Sequence, residues 1–355
     1  MVPAETARSG MMRSAFLGGT LAAVDSVPGA AAAEATQSLP MNFLTGYGDR
    51  AFPVVNLTWG VLAISVIVVI VITALLLGAL FRRRPGGWAH DPARLPVSRE
   101  GNGLPWISIG VGISTVVLFG TVVWTMTTLS AVMEPDEDTA LTIEVDAHQW
   151  WWEVRYLGDS PDEIFTTANE IHIPVGRPVR VRLVGGDVIH SFWVPALSGK
   201  TDVIPGRTNR TWIEASEPGV YRGQCAEYCG LQHAKMGLFV IASPEDEFEA
   251  WREAQLAPAS DDIAEDAARG REDFMRNCSA CHTVRGTPAG GAVGPDLTHV
   301  ASRRTIAAGT LENTPANLTA WIEDAQTFKP GNRMPTLDLE GQTLMDIVAY
   351  LETLE

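Results

Sequence analysis

Two long stretches of the chain carry no charge. From Ala51 to Phe81 every side chain is apolar or neutral. The core of that run, L-T-W-G-V-L-A-I-S-V-I-V-V-I-V-I-T-A-L-L-L-G-A-L-F, is long enough for a membrane helix. A second charge-free run reaches from Gly101 to Met133, with Pro105 suited to the first turn of its helix. Trp59 and Trp106 fall where interfacial aromatic belts form. The period then changes. L-T-I-E-V-D-A-H-Q-W-W-W-E-V-R-Y alternates as a strand does, and E-I-H-I-P-V-G-R-P-V-R-V-R-L-V alternates around a Gly-containing turn. T-W-I-E-A and G-L-F-V-I-A add strands, and many short strands with Gly and Pro turns predict a β-sandwich. Ser243-Pro244-Glu245-Asp246-Glu247 reads as a helix start, with a serine cap, proline in the first turn and acids near the positive end. That helix is expected to run to about Gln255, before a linker at Ala257-Pro258-Ala259-Ser260. The last hundred residues are helical in pattern.

Charge sets the orientation. The net charge is −16, and residues 134–355 hold 36 acidic against 18 basic side chains, so that part carries −18. An acidic extramembrane part disfavours nucleic acid and favours a cationic protein partner, although solubility alone accounts for much of it. Between the apolar runs lie Arg82, Arg83, Arg84, Arg94 and Arg99, against Asp91 and Glu100. After the second run come Glu134, Asp136, Glu137 and Asp138. The excess of arginine places the loop in the cytoplasm and both termini on the opposite face of a bacterial plasma membrane. Arg8 and Arg13, a short apolar run and an A-x-A-like site near Ala31 to Ala33 predict a signal peptide.

The chain has four cysteines, in two pairs. G-Q-C-A-E-Y-C-G-L-Q-H-A-K-M, Gly223 to Met236, brings together Cys225, Glu227, Cys229, His233 and Met236, and His190 lies upstream in V-I-H-S-F-W-V-P. The cysteines alone allow a disulfide, and cysteine with histidine allows zinc. Thioether with thiolate and imidazole is a softer set that suits copper. Two thiolates are one more than a mononuclear blue-copper site uses, and they suit a pair of coppers bridged by both sulfurs. The second pair, in Cys278-Ser279-Ala280-Cys281-His282, is a C-x-x-C-H motif for covalent haem attachment with His282 as proximal ligand. Met334 in G-N-R-M-P-T is the favoured sixth ligand over Met275 and Met345, the latter on what looks like a core stripe. Methionine opposite histidine suits electron transfer. His299 reads as a surface residue, and His148 and His172 as partly buried strand histidines.

H-S-F-W-V-P, K-T-D-V-I-P-G-R and C-A-E-Y-C-G-L-Q-H-A-K-M together resemble subunit II of haem–copper cytochrome c oxidase, through most of residues 50–243. The resemblance implies a Greek-key cupredoxin with a binuclear CuA centre. Cys225 and Cys229 would bridge the coppers, His190 and His233 would cap one each, Met236 would be a weak axial ligand and Glu227 would give its carbonyl. The Glu227 side chain would ligate magnesium at the interface with subunit I. Trp150, in the family's H-Q-W-aromatic-W strand, matches the tryptophan through which electrons arrive. The C-terminal segment resembles a class I cytochrome c, with Gly294-Pro295-Asp296-Leu297 as its loop near the haem. A hairpin, CuA cupredoxin and cytochrome c together imply the caa-type oxidases.

The expectation is therefore a multidomain membrane protein: signal peptide 1–33, extracytoplasmic segment 34–54, transmembrane hairpin 55–133 with cytoplasmic loop 82–104, all-β cupredoxin 134–243, helix and linker 244–261, and all-α cytochrome c domain 262–355. Its partners would be subunit I, other oxidase subunits and cytochrome c or another small donor. Oxygen chemistry would sit in subunit I, leaving no catalytic residue here. A tethered carrier outside any enzyme, a copper chaperone and a nitrous oxide reductase are the rival readings; the chaperone lacks counterparts of His233, Met236 and the haem motif, and the reductase carries CuA as part of a large soluble enzyme with a propeller. Glycine stands at Gly103 where the family commonly has glutamate.

Overall fold

The computed structural model describes residues 38–39, 41–82, 103–133, 135, 139 and 141–355. The signal segment, the loop arginines from Arg83 to Arg99 with Glu100, and the acidic flank at Glu134 and Asp136 to Asp138 lie outside those residues.

Both apolar runs form helices, α1 (Ala51–Phe81) and α2 (Leu104–Met133). Each is long and apolar enough to cross a membrane, and the rest of the chain buries none of the apolar stretch of either. They meet where Gly60 faces the Trp124 indole: a Cβ at Gly60 would lie 2.2 Å from the ring, so only glycine admits this contact. The head of α1 is tied to the domain above it. Arg50 donates to the Trp212 carbonyl (2.7 Å) and its guanidinium lies over the Trp212 ring, while Trp212 Nε1 donates to the carbonyl of Val132 near the end of α2 (3.2 Å).

After a two-residue strand β1 (Ser38–Leu39), the sandwich strands are β2 (Leu141–His148), β3 (Trp151–Leu157), β4 (Phe165–Ala168), β5 (Glu170–Pro174) and β6 (Val179–Gly185). They continue with β7 (His190–Phe192), β8 (Thr201–Val203), β9 (Asn209–Ile213), β10 (Gly219–Gln224) and β11 (Gly237–Ser243). One sheet has the order β1-β10-β11-β5, the other β4-β3-β2-β6-β9, and β7 pairs with β8. The alternation puts Ile143, Val145, Ala147, Trp152, Val154 and Tyr156 into one core with Val181, Leu183, Tyr221, Leu238 and Val240. The single alternating run around the three tryptophans is in fact a hairpin. β2 and β3 pair antiparallel up to His148 and Trp151, so Gln149 and Trp150 form the turn. The buried positions change phase there, from Ile143, Val145 and Ala147 before the turn to Trp150, Trp152, Val154 and Tyr156 after it, and three adjacent tryptophans mask the shift in the sequence.

Ser243 ends β11, and its carbonyl accepts from Val175, so it cannot serve as the predicted helix cap. The helix α3 (Glu245–Leu256) starts from Pro244 without a side-chain cap, its first turn held by three acids. The C-terminal domain is built on α4 (Glu265–Asn277), α5 (Pro315–Glu323), the short α6 (Ala325–Phe328) and α7 (Gly341–Glu352). α4 and α7 cross at Gly270, where a Cβ would stand 1.7 Å from the Asp346 carbonyl oxygen. Between α4 and α5 lies one small hairpin, β12 (Thr305–Ile306) with β13 (Leu311–Glu312). Its turn holds Ala307, Ala308 and Gly309 in the left-handed region (φ 54°, 58° and 71°). Left-handed backbone is uncommon for alanine and carries a cost of about 1–3 kcal/mol per residue, so the surroundings must hold it.

Candidate metal and haem centres

The first cluster forms where β10 and β11 leave their ladder. Cys225 directly follows β10 and Met236 directly precedes β11, and the Cys225 amide donates to the Met236 carbonyl (3.0 Å), so strand pairing closes the loop's neck. Within the loop Cys225 Sγ lies 3.8 Å from Cys229 Sγ, far beyond a disulfide bond, and both cysteines are free and buried. His190 Nδ1 lies 3.8 Å from Cys225 Sγ, His233 Nδ1 3.6 Å from Cys229 Sγ, and Met236 Sδ 3.8 Å from Cys229 Sγ. The Glu227 carbonyl lies 3.2 Å from Cys225 Sγ. All six expected residues are thus neighbours, and the ligand atoms of His190, Cys225 and Cys229 lie within 4.8 Å of one another.

Two sulfurs this close share a proton. The contact with Cys229, together with the His190 hydrogen bond, lowers the Cys225 thiol, and the same contact pushes Cys229 up. Both sulfurs would hold a metal pair as thiolates, so binding would release their protons. The donor set of two sulfurs, two imidazoles and a thioether fits soft copper. Asp187 supplies what the sequence reading missed. Its Oδ1 is 2.9 Å from His190 Nε2, which turns Nδ1 toward the sulfurs. An acid three residues before a candidate ligand histidine was the available signal.

Trp150 is buried beside this loop. Its Nε1 donates to the Cys229 carbonyl (2.9 Å), which also accepts from Gln149 Nε2 (2.7 Å). Trp152 packs edge-on to His190 and Phe192. Trp151 stacks on His148, and His172 stacks on Trp251.

The second site is a slot in the C-terminal domain. Two cavities share His282, Leu297, Ile322, Met334 and Leu351, so they are halves of one slot. Cys278 and Cys281 line one half only. His282 Nδ1 lies 2.8 Å from the Pro295 carbonyl, which makes Nδ1 the protonated nitrogen and leaves Nε2 free to bind a metal. A Cβ at Gly294 would lie 2.6 Å from His282 Cε1, so the loop 294–297 presses against the ring only because glycine is there. The Arg303 Nε is buried without a partner, and Arg303 lines the half without cysteines. A flat slot with two thiols, an imidazole, a thioether and an orphaned guanidinium N–H fits a haem with its carboxylates. Met334 lines both halves. Met345 is 54% exposed, not on a core stripe, because α7 turns it outward. His299 is buried, not on the surface: Nδ1 meets the Glu355 carbonyl and Nε2 the Ala257 carbonyl (3.0 Å).

The two sites face each other across a seam. Glu170 Oε1 accepts from the amides of Arg304 (2.9 Å) and Thr305 (3.0 Å). The Gly237 amide donates to the Ala308 carbonyl (3.0 Å), so the left-handed turn aims its carbonyls at the copper domain. Lys329, 3% exposed, donates to the carbonyls of Trp150 (2.8 Å) and Ala307 (3.1 Å). Gln232 Nε2 donates to the Pro330 carbonyl (2.8 Å).

Residues 157–243 match the family described as cytochrome C oxidase subunit II, periplasmic domain, and residues 267–355 match the cytochrome c family. Cytochrome c oxidase subunit 2 of Alkalihalophilus pseudofirmus is 40% identical over 303 residues, covering 83% of this chain and 84% of that protein. The chain belongs to the cytochrome c oxidase subunit 2 family. Subunit 2 of Bacillus sp. strain PS3 is 32% identical over 273 residues, covering 72% of this chain and 73% of that one. The solved periplasmic domain of subunit II from Bradyrhizobium japonicum is 36% identical, covering 34% of this chain and 95% of its own length, with a TM-score of 0.31. As a subunit 2 with a cytochrome c domain, this chain is part of a haem–copper oxidase and works with other oxidase subunits. The subunit 2 domain implies copper at the first site, and the cytochrome c domain implies haem at the second.

Proposed function

We propose that the chain takes electrons from a cytochrome c-type donor into its own haem c and passes them through a binuclear CuA centre to haem in subunit I, where oxygen is reduced to water with proton pumping. When bound, each group supplies a one-electron store, the copper pair spreading its electron over two metals. His190, Cys225, Cys229, His233 and Met236, with the Glu227 carbonyl, hold the coppers. Cys278 and Cys281 would attach the haem covalently, and His282 and Met334 would be its iron ligands. The observation that carries the reading is the convergence of the five copper-site side chains, already gathered by strand pairing, beside a slot that carries the haem motif. The domain limits 134–243 and 262–355 follow this division of labour.

Trp150 is where electrons reach the copper domain. The Gly331 segment covers it, with Trp150 Cη2 3.8 Å from where a Gly331 Cβ would stand, and its carbonyl is taken by Lys329. In this chain its source is thus the attached haem domain and not a separate donor. The Glu227 carboxylate lies 3.6 Å from Lys200 Nζ. Glu227 is the side chain that would hold magnesium at the subunit I interface, where the ion would compete with that ammonium. The two helices lie in the bacterial plasma membrane with both termini on the outer side.

The test is metal content and EPR on the full-length chain, matured with haem-attachment machinery and copper. Two coppers and one covalent iron per chain, with hyperfine structure from one electron shared by two coppers, is the expected result. One copper, zinc or a Cys225–Cys229 disulfide sinks it. Co-purification with subunit I in mild detergent separates an oxidase subunit from a free-standing carrier.

A further inference from the structure

The slot has two chemically distinct ends. Cys278 and Cys281 line one half, so the vinyl edge of the haem is fixed there. The propionates leave the opposite edge of the macrocycle and therefore fall in the other half. That half is lined by Arg303, Thr305 and Trp321, and by one residue from outside the cytochrome domain, Asn169. Asn169 belongs to the sandwich, between β4 and β5, next to Glu170.

Its side chain is fixed in a telling way. Asn169 is 8% exposed, and its backbone is left-handed (φ 63°), a conformation asparagine tolerates. Its Oδ1 accepts from the Trp152 amide (2.9 Å). The backbone is also committed, the amide to the Trp152 carbonyl and the carbonyl to the Phe239 amide (2.9 Å each). With the oxygen facing Trp152, the amide's two N–H donors are on the opposite side, and no described residue accepts from them. A buried carboxylate is expensive unless it is matched by donors or charge. This half of the slot offers two kinds: the unpartnered Arg303 Nε and the Asn169 Nδ2.

We propose that the copper domain completes the haem site, with Asn169 Nδ2 donating to a haem propionate beside Arg303. The inference rests on haem c occupying the slot. The same amide then joins the two centres, because its oxygen holds the backbone of Trp152, whose indole packs on His190. Asn169 is thereby a positioning residue for one domain and a binding residue for the other.

The test uses the full-length chain with haem and copper loaded. Asn169→Asp keeps the acceptor for Trp152 and tolerates the left-handed backbone, but replaces the donor with negative charge. Loss of the donor leaves propionate charge unscreened and favours the ferric state. The haem midpoint potential is expected to fall by at least the equivalent of a tenfold change in the reduction equilibrium, about 59 mV for one electron, with the copper EPR unchanged. Asn169→Gly, which also permits positive φ, is expected to give a smaller fall in the same direction. An unmoved haem potential in Asn169→Asp with native copper EPR overturns the proposal. If that variant fails to load copper, an unmoved potential in Asn169→Gly overturns it equally. Absence of covalent haem from the unmutated chain sinks the haem reading itself and is seen before either variant is made.

Discussion

The copper loop and the haem slot are built on opposite plans. The copper-site side chains stand within 3.8 Å of a neighbour in the set before any metal is bound, and His190, Cys225, Cys229 and Met236 are at most 3% exposed. Strands on either side of a short loop do that work. The haem slot, in contrast, is open space between residues from Phe274 to Leu351, with one wall borrowed from the other domain. A metal pair is small enough for a protein to prearrange its ligands. A haem is large enough to be part of the core.

The sharpest way to break that contrast is to withhold each cofactor. A Cys278→Ala, Cys281→Ala chain cannot retain haem, and its C-terminal domain is expected to lose cooperative unfolding and become protease-sensitive, while the sandwich still loads copper. A protease-resistant apo domain would erase the difference. Cys225→Ser is expected to do the reverse: copper falls below two per chain and the shared-electron hyperfine pattern disappears, with little loss of fold. Circular dichroism and copper analysis read both.

The seam comes next in size. Glu170→Ala leaves the Arg304 and Thr305 amides without their acceptor, at about 1–3 kcal/mol for each buried group. Hydrogen exchange over residues 304–312 should quicken, with copper EPR unaltered. Unchanged exchange would mean the hairpin holds itself.

The smallest effect is a pH dependence confined to the copper domain. Burial, with the Arg304 charge, holds His172 down to about 3 against an ordinary 6.5. Between those values the unfolded chain binds a proton that the folded chain refuses, so stability is lost as pH falls below 6.5. The loss is about 1 kcal/mol between pH 6.5 and 5.5. Denaturant titrations of His172→Gln should show a flatter profile than the parent. An identical slope would place the proton elsewhere.

The same contrast governs what the sequence made legible. Cys225, Cys229, His233 and Met236 lie in one stretch, and Cys278, Cys281 and His282 in another, so spacing alone exposed them. The two long apolar helices and the strand periods were equally local. The hairpin turn at Gln149 and Trp150 was hidden because Trp150, Trp151 and Trp152 fill both phases of the alternation where it shifts. Glu170 and Lys329 were not found, since each meets a partner more than a hundred residues away across the seam, and Asn169 was not found because only the folded chain brings it to the slot. His299 was misplaced because its partners, the Ala257 and Glu355 carbonyls, lie outside its local stretch of sequence.

The sequence leaves open whether the linker at Ala257 to Ser260 swings, and the structure ties it to the haem domain. Arg285 donates to the carbonyls of Gln255 and Leu256, the Ala259 amide donates to the Arg285 carbonyl (2.9 Å), and His299 meets Ala257. A swinging domain would meet its target at an effective concentration set by linker length. A pinned one makes no search at all. On the proposed route, arrival of an external donor at this acidic chain would be steered by charge and would slow as salt rises. The proposed hand-over would cross a seam made largely of side-chain-to-backbone hydrogen bonds, with no encounter to screen. Added salt therefore separates the two events, slowing turnover only while arrival limits it.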